Sequence, residues 1–336
     1  MKCLETKSNV VAYFKAPYEI EVKEAVVPSV KPDFVLVEYL YCGICGGDYS
    51  VYLGRRHSYP ISLGHEFVGR IVSTGKNVSK LVPGQYVISD FNYRCDKCDF
   101  CIQNQSHLCE KNDIELFSNR GFAKYACIHF NYLVPVAPFD YLPRACLIEP
   151  LSCVIHACSV AGIHSGMKVL ICGGGGIGML FCFYLTRIKE NIVVALHQTN
   201  EKKEKNLLNH FNISRFSEKK NYKFDLVIDC SNTVDGLMFS LDKTIPGGKI
   251  CIMSHLYGCE TSFVYDQLCK KELHCSFPLR NGERSNLLMA EKYIRNFWDS
   301  SDDDMLSVHT DIIEAFQNKS TSGACKQIID SSKLAP

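Results

Sequence analysis

The 336-residue chain has no long hydrophobic run. Its longest candidate, Gly173 to Leu185, is shorter than the roughly 18 apolar residues a membrane helix needs, and it opens on glycines. The first ten residues (MKCLETKSNV) contain no apolar signal core. An export signal is therefore not expected, and a reducing cytoplasmic setting is. A surplus of one charge is also missing: 37 Lys and Arg face 36 Asp and Glu, for a formal charge of +1. That balance argues against a generally basic nucleic-acid binder, while leaving room for a local patch, and neither nucleic acid nor membrane is expected as a partner. There is no internal repeat and no low-complexity tract. Hydrophobic residues make up 46% of the chain, enough for a core, so a disordered chain is excluded. The length suits two domains.

Cysteine is the abundant residue, with 19 copies. As reduced thiols they divide into metal-spaced clusters and small core residues. Cys153, Cys158, Cys172, Cys182, Cys230 and Cys251 lie in apolar runs and read as core. Cys95, Cys98, Cys101 and Cys109 stand apart, in RCDKCDFCIQNQSHLC. Their C-x2-C-x2-C-x7-C spacing can close a tetrahedral shell of thiolates around Zn²⁺. Four protein ligands leave no position for a substrate, so this reads as a structural zinc. An iron–sulfur cluster is the competing metal. The acidic residues Asp96, Asp99 and Glu110 in this lobe argue against nucleic acid as its ligand.

The first third predicts short strands, Val35–Tyr39, Phe67–Val72 and Gln85–Ser89, separated by Gly and Pro. That pattern suits a small barrel or sandwich. After Glu149–Pro150 the pattern changes. Buried strands at Lys168–Cys172, Ile192–Leu196, Asp225–Cys230 and Lys249–Met253 alternate with helical stretches, which implies a parallel sheet covered on both faces. The run Asp302–Asp304 reads as a solvated loop or a helix cap. The tail, Asp311 to Asp330, predicts a helix, a turn and a strand.

Gly173, Gly175 and Gly178 form G-x-G-x-x-G between a predicted strand and a helix predicted over Gly178–Ile188, and Gly176 and Ile177 are counted with them as cofactor-binding residues. In that context the first glycine permits a tight turn, the second lets the backbone approach a pyrophosphate, and the third lets helix and strand pack closely. The helix N-terminus offers free N–H groups to phosphate. About 20 residues further on, an NAD site usually carries an acid for the ribose hydroxyls. Here the position holds Leu196, His197 and Gln198, followed by Lys202, Lys203 and Lys205. Without that acid there is no repulsion against a 2′-phosphate. The cofactor is therefore expected to be NAD or NADP, with a slight lean to NADP through His197 and Lys202.

In order along the chain, CGICGGD (Cys42–Asp48), LGHEFVG (Leu63–Gly69), the four-cysteine lobe, GFAKYA (Gly121–Ala126), EPLSCVIHA (Glu149–Ala157), the glycine loop and the closing EAFQ…KQII resemble the zinc-containing medium-chain dehydrogenases, especially the polyol (sorbitol-like) and threonine dehydrogenase branch. The resemblance implies an α/β architecture: a GroES-like β-barrel catalytic domain at 1–148, completed by 290–336, and a Rossmann NAD(P)-binding domain at 149–289. It implies two zinc ions per chain. Cys45, His65, Glu66 and Glu149 match the catalytic zinc site, with Glu149 binding directly or through water. Cys42 is read as packing. The implied activity is hydride transfer between a secondary alcohol, such as a polyol or sugar, and NAD(P). A threonine-like amino-acid dehydrogenase using Arg55 or Arg56, and a zinc- and nucleotide-binding protein with lost catalysis, are the alternatives. The substrate is a small alcohol or carbonyl compound, and the family implies a homodimer or homotetramer.

The chain departs from the family at one place. The residue two after the zinc cysteine is usually Ser or Thr, whose hydroxyl passes the alcohol proton outward. Here it is Gly47, and the branch's frequent His three residues later is Ser50. Ser50, Tyr49, an ordered water or a hydroxyl of the substrate is expected to stand in. Three smaller readings remain. His57 sits where the family lines its cleft, Arg280 where the family approaches the nicotinamide, and Lys326 aligns with a cofactor-reaching base but reads as a strand-end lysine.

Overall fold

The computed structural model describes residues 8–55, 59–92, 94–111, 120–217, 222–256 and 262–336. Arg56 and His57 lie outside the described residues. The chain divides into two compact units.

The first unit comprises Met1–Glu149, Ser307–Ser320 and Gln327–Pro336. It opens with an antiparallel hairpin of β1 (Ser8–Ala16) and β2 (Glu19–Val26). Its main sheet is antiparallel and uses β3 (Phe34–Gly43), β4 (Glu66–Thr74), β5 (Tyr86–Ser89), β6 (Tyr125–His129) and β7 (Leu133–Val136). Two short helices interrupt it, α1 (Gly46–Tyr52) and α2 (Asp99–Ile102). The β3–β4 ladder shifts register between Leu36 and Val37 and again between Tyr39 and Tyr41. Such bulges bend and twist a strand and re-aim its side chains. The ladder ends with Gly43 opposite Glu66, which sets the head of β4 beside the loop that carries Cys45. Beneath the sheet, Phe14 packs edge-on to Phe316 at 5.1 Å between ring centroids, and Phe122 meets Phe316 edge-on at 5.8 Å. Edge-to-face pairs of this kind add to the area that three buried rings remove from water.

The second unit comprises Pro150–Leu306 and Thr321–Lys326. The boundary falls inside α3 (Ile148–Val160). Six parallel strands follow: β8 (Lys168–Cys172), β9 (Val193–His197), β10 (Ser214–Arg215), β11 (Phe224–Asp229), β12 (Thr244–Ile252) and β13 (His274–Ser276). Their order across the sheet is β10-β9-β8-β11-β12-β13. Connecting helices are α4 (Gly176–Arg187), α5 (Glu201–His210), α6 (Val234–Lys243) and α7 (Ser262–Lys271). The order reverses between β8 and β11, and ligands of such sheets bind outside the carboxyl ends of the strands at that switch point.

The sequence reading ended this unit at 289, but packing carries it to Leu306. Helix α8 (Arg284–Phe297) and the turn after it stay with the parallel sheet because Trp298 buries its ring against Phe183 at 5.3 Å. Asp302, read from sequence as a solvated residue or cap, is buried. It accepts from Arg187 Nη2 at 2.9 Å, faces His210 Nδ1 at 3.3 Å, and closes a capping box with Asp299. The chain then returns to the first unit through β14 (Leu306–His309), α9 (Ile312–Asn318) and β15 (Lys326–Asp330), whose Ile328 pairs with Gly43. Among the described residues no helix is long and apolar enough to cross a membrane.

Candidate active site

Cys45 is the N-cap of α1, placed where β3 has just ended. Its neighbour Ile44 donates its N–H to the Gln327 carbonyl at 2.9 Å, which ties the loop to β15. The first turn of the helix grips Cys45 from both sides. The Gly47 N–H donates to Cys45 Sγ at 3.4 Å, and the Cys45 N–H donates to Asp48 Oδ2 at 3.1 Å. This reciprocal capping fixes the sulfur without help from a distant residue. His65 and Glu66 come from the head of β4, and the β3–β4 register brings them to the same spot. Cys45 Sγ, a ring nitrogen of His65 and a carboxylate oxygen of Glu66 all lie within 4.8 Å of one another.

The surroundings are strongly acidic for a buried place. Glu66, at 1% exposure, is joined by the buried Asp48 and Glu149. His65 Nδ1 stands 3.8 Å from Asp48 Oδ1, and the His65 ring packs on Phe91 at 4.5 Å. Burial opposes a proton on His65, but the Cys45 sulfur, Asp48 and Glu149 outweigh it and raise the imidazole from 6.5 to about 10. Burial also lifts the Asp48 carboxyl above its usual range, against the pull of His65. One imidazole facing a thiol and three buried acids is an arrangement that a cation would relieve. The mixed sulfur, nitrogen and oxygen donors fit zinc, and three such donors leave a position open.

Glu149, on the first turn of α3, stands outside the set of donors within mutual reach and acts on His65 through its charge. Ser50 is buried and turned away: its hydroxyl donates to the Gly46 carbonyl at 3.0 Å, a bond back along its own helix. Tyr49 is taken up by an aromatic stack with Tyr52 at 5.9 Å and Phe316 at 6.4 Å. The expected stand-ins from α1 therefore point elsewhere.

The donors of Cys95, Cys98, Cys101 and Cys109 also lie within 4.8 Å of one another. Cys95 and Cys101 sulfurs are 3.9 Å apart, as are those of Cys98 and Cys109. A tetrahedron with zinc–sulfur bonds near 2.3 Å has edges of about 3.8 Å, so the sulfur spacing fits zinc. Backbone N–H groups of Lys97 and Cys98 draw the Cys95 thiol down to about 6, while burial pushes Cys101 up to about 12.

The glycine loop lies at the switch point of the second unit. Gly173 has φ +101°, where side chains are strained, and a Cβ there would meet the Cys230 carbonyl at 2.8 Å. A Cβ on Gly178 would stand 1.9 Å from the Gly173 carbonyl oxygen, so helix and strand close only over glycine. Gly175 differs: its φ is −74°, and a Cβ would meet no atom of the described residues within 4 Å. It is the N-cap of α4, without a side-chain cap, and the space beside it is open to a ligand. Gly176 follows it into the helix, and Ile177 lies within the first turn.

His197 ends β9, and its carbonyl accepts the Gly173 N–H at 2.9 Å. Its ring stacks on Phe239 at 4.0 Å. Lys202 is exposed in the first turn of α5. Two residues were underrated or missed by sequence. Lys326, read as a strand-end lysine, is only 4% exposed, and its Nζ lies 3.7 Å from where a Gly176 Cβ would be. Asp229, which closes β11, is buried with Oδ1 held by the Ser231 N–H at 3.0 Å and Oδ2 without a hydrogen-bond partner among the described residues. The acid next to last in the run DLVIDC was the available signal. Arg280, the residue noted near the nicotinamide position, adopts φ +56°. A groove of about 410 Å³ lined by His164, Met167, Asp225 and Lys249 lies at the opposite ends of the strands from the glycine loop.

Residues 31–138 match the alcohol dehydrogenase GroES-like domain. D-arabinitol dehydrogenase 1 of Uromyces fabae is 31% identical over 170 residues, covering 50% of this chain and 48% of the relative. The chain thus spans about half the length of the first curated relatives it matches. Sorbitol dehydrogenase of Halalkalibacterium halodurans is 27% identical over 269 residues, 75% of this chain and 78% of the relative. A zinc-binding dehydrogenase of Sinorhizobium meliloti, solved with NADP, superposes with a TM-score of 0.80 at 22% identity, covering 97% of this chain and 100% of that one. The fold is therefore a GroES-like domain with a Rossmann domain. Residues 31–138 thus carry the alcohol dehydrogenase GroES-like domain, and over its greater length the chain is similar to sorbitol, threonine and galactitol-phosphate dehydrogenases.

Proposed function

We propose that the protein is a zinc-dependent oxidoreductase that moves a hydride between a secondary alcohol of the polyol or sugar class and NAD(P). The observation that carries this reading is the convergence of Cys45, His65 and Glu66 within 4.8 Å, an incomplete shell of three different donors. In this reading the first unit is the catalytic domain and the second the cofactor domain. Cys45, His65 and Glu66 hold the catalytic ion, with Glu149 as the further carboxylate. A zinc ion so held polarises the substrate oxygen and lowers its proton affinity. Asp48 faces His65 and steadies the ring, and the capping box keeps Cys45 in place. Cys95, Cys98, Cys101 and Cys109 hold a second, structural zinc.

In the second unit, the open face of Gly175 and the N-terminus of α4 receive the cofactor pyrophosphate, and the Lys326 ammonium beside Gly176 adds a positive charge. The absence of an acid at His197, with Lys202 nearby, supports NADP over NAD. The polyol class rests on the arabinitol and sorbitol dehydrogenases among the relatives. The protein is taken to act in the cytoplasm as a soluble homodimer or homotetramer.

The test is turnover by purified, zinc-loaded protein on a panel of polyols, including sorbitol and arabinitol, with NAD and with NADP. Oxidation of at least one polyol is expected, with lower KM for NADP. Bound zinc and bound cofactor without turnover of any polyol would contradict the reading and leave a binding protein.

A further inference from the structure

Strands β11 and β12 pair as far as Asp229 and Ile252, and a loop leaves the carboxyl edge of the sheet from each. One runs through Cys230, Ser231 and Asn232 to Thr233, the N-cap of α6. The other runs through Met253, Ser254 and His255. Past the end of a ladder, loops need bonds of their own to hold a fixed place.

The first loop is anchored to its own strand and to the neighbouring one. Asp229 Oδ1 accepts from the Ser231 N–H at 3.0 Å and from the Ser231 hydroxyl at 2.6 Å, and the Cys230 N–H donates to the Cys172 carbonyl at 2.8 Å. This loop also closes against the glycine turn, since a Cβ on Gly173 would meet the Cys230 carbonyl.

The second loop is tied to the first at Asn232. This residue has φ +55°, a conformation that asparagine tolerates better than most side chains. Its N–H donates to Ser254 Oγ at 2.8 Å, and its side-chain oxygen accepts the His255 N–H at 3.0 Å. Ser254 Oγ also reaches the Asp229 carbonyl, at 3.4 Å. Glycine would take the same φ without steric cost and would keep the N–H bond to Ser254. What asparagine adds is the second attachment, to His255. Two attachments at successive residues fix the direction of the second loop as well as its distance from the first.

The cofactor reading gives the glycine turn after β8 to the pyrophosphate and the end of β9 to the adenosine ribose. A dinucleotide lies across the switch point with one half on each side. Adenosine on the β9 side leaves the ends of β11 and β12 to the nicotinamide half, and there the tied loops stand.

We propose that Asn232 is a positioning residue for the nicotinamide half of the cofactor: its side chain straps the loop after β12 to the loop after β11, so that the wall beside the ring is formed before the cofactor arrives. This rests on the cofactor reading given above. A wall already in place spares binding the cost of ordering it.

The test compares each coenzyme with its analogue lacking nicotinamide: NADH with ADP-ribose, and NADPH with 2′-phospho-ADP-ribose, all by calorimetry. Asn232→Gly keeps the backbone conformation and removes the strap. It should weaken both coenzymes about tenfold and leave both analogues within about twofold. Asn232→Asp keeps an acceptor oxygen and tolerates the same φ, so coenzyme binding should return to within about threefold of native. Hydrogen exchange of the segment carrying His255 should quicken in Asn232→Gly and stay native in Asn232→Asp. Asn232→Gly should unfold within about 3 °C of the native protein, since one hydrogen bond is lost and no strain is added.

Native coenzyme binding by Asn232→Gly would overturn the assignment, whatever its exchange rate. Equal weakening of the analogues would also overturn it, by marking a general loosening of the unit. So would Asn232→Asp behaving as Asn232→Gly does. A native protein that binds the analogues as tightly as the coenzymes loses this inference and keeps the adenosine side of the cofactor reading. A native protein that binds neither coenzyme nor analogue loses the cofactor reading itself.

Discussion

The lobe of Cys95, Cys98, Cys101 and Cys109 and the cluster of Cys45, His65 and Glu66 present donors at the same mutual reach, within 4.8 Å, yet they differ in everything else. The lobe takes four identical donors from 15 consecutive residues, so its geometry is set locally by one short loop and α2. The mixed cluster draws a thiol from a helix cap and an imidazole and carboxylate from a strand head 20 residues on, and its geometry depends on the β3–β4 register. Sulfur on all four corners closes the shell. One sulfur, one nitrogen and a buried acid leave it open. The difference teaches that one short loop suffices to bring four thiols together, whereas the mixed donor set needs the register of a sheet to assemble it.

The comparison can be broken most severely at its open end. Cys45→Ser should lower kcat/KM by about a thousandfold or more and cut zinc from two ions per chain to one, with circular dichroism unchanged. An ion count still at two would place the catalytic metal elsewhere. At the closed end, Cys98→Ser should lower thermal stability strongly and release the lobe's zinc, because an all-protein shell contributes its binding energy to folding. Its loss of activity should follow unfolding of the lobe rather than precede it, which limited proteolysis timed against activity would show.

The third difference concerns protons. In metal-stripped protein, His65 has a pKa of about 10 against 6.5 when free of its partners. A raised histidine stabilises the fold fully below pH 6.5, and that contribution is lost as pH climbs through about 10. Denaturant titrations of the stripped protein should therefore show stability falling over that window. The zinc-loaded protein should lack this component, since a metal-bound imidazole has no such proton to lose. A milder change sharpens the comparison in the second unit. Lys326→Met should weaken NADH and NADPH alike, by about tenfold, while Lys202→Ala should weaken NADPH alone by a few-fold, both read by coenzyme fluorescence.

Sequence made the local features legible and the assembled ones only through order. The four-cysteine spacing and the glycine loop are properties of short stretches, so both are legible without knowing which distant strands pair. Cys45 and His65 carry no such signature alone; only the succession of landmarks singled them out. What sequence could not give is direction. Nothing in CGGDYS says that the Ser50 hydroxyl turns back to Gly46, or that Tyr49 joins Phe316, which is 267 positions away. The same holds for Lys326 and Asp302, whose partners Gly176 and Arg187 are more than a hundred residues distant.

Diffraction recorded on either side of the zinc absorption edge, from crystals of the native protein, tests the central claim most directly. The account predicts two anomalous peaks per chain, one enclosed by Cys95, Cys98, Cys101 and Cys109 and one touching Cys45 and His65. A single peak in the lobe, with the Cys45 thiol bare, would contradict it.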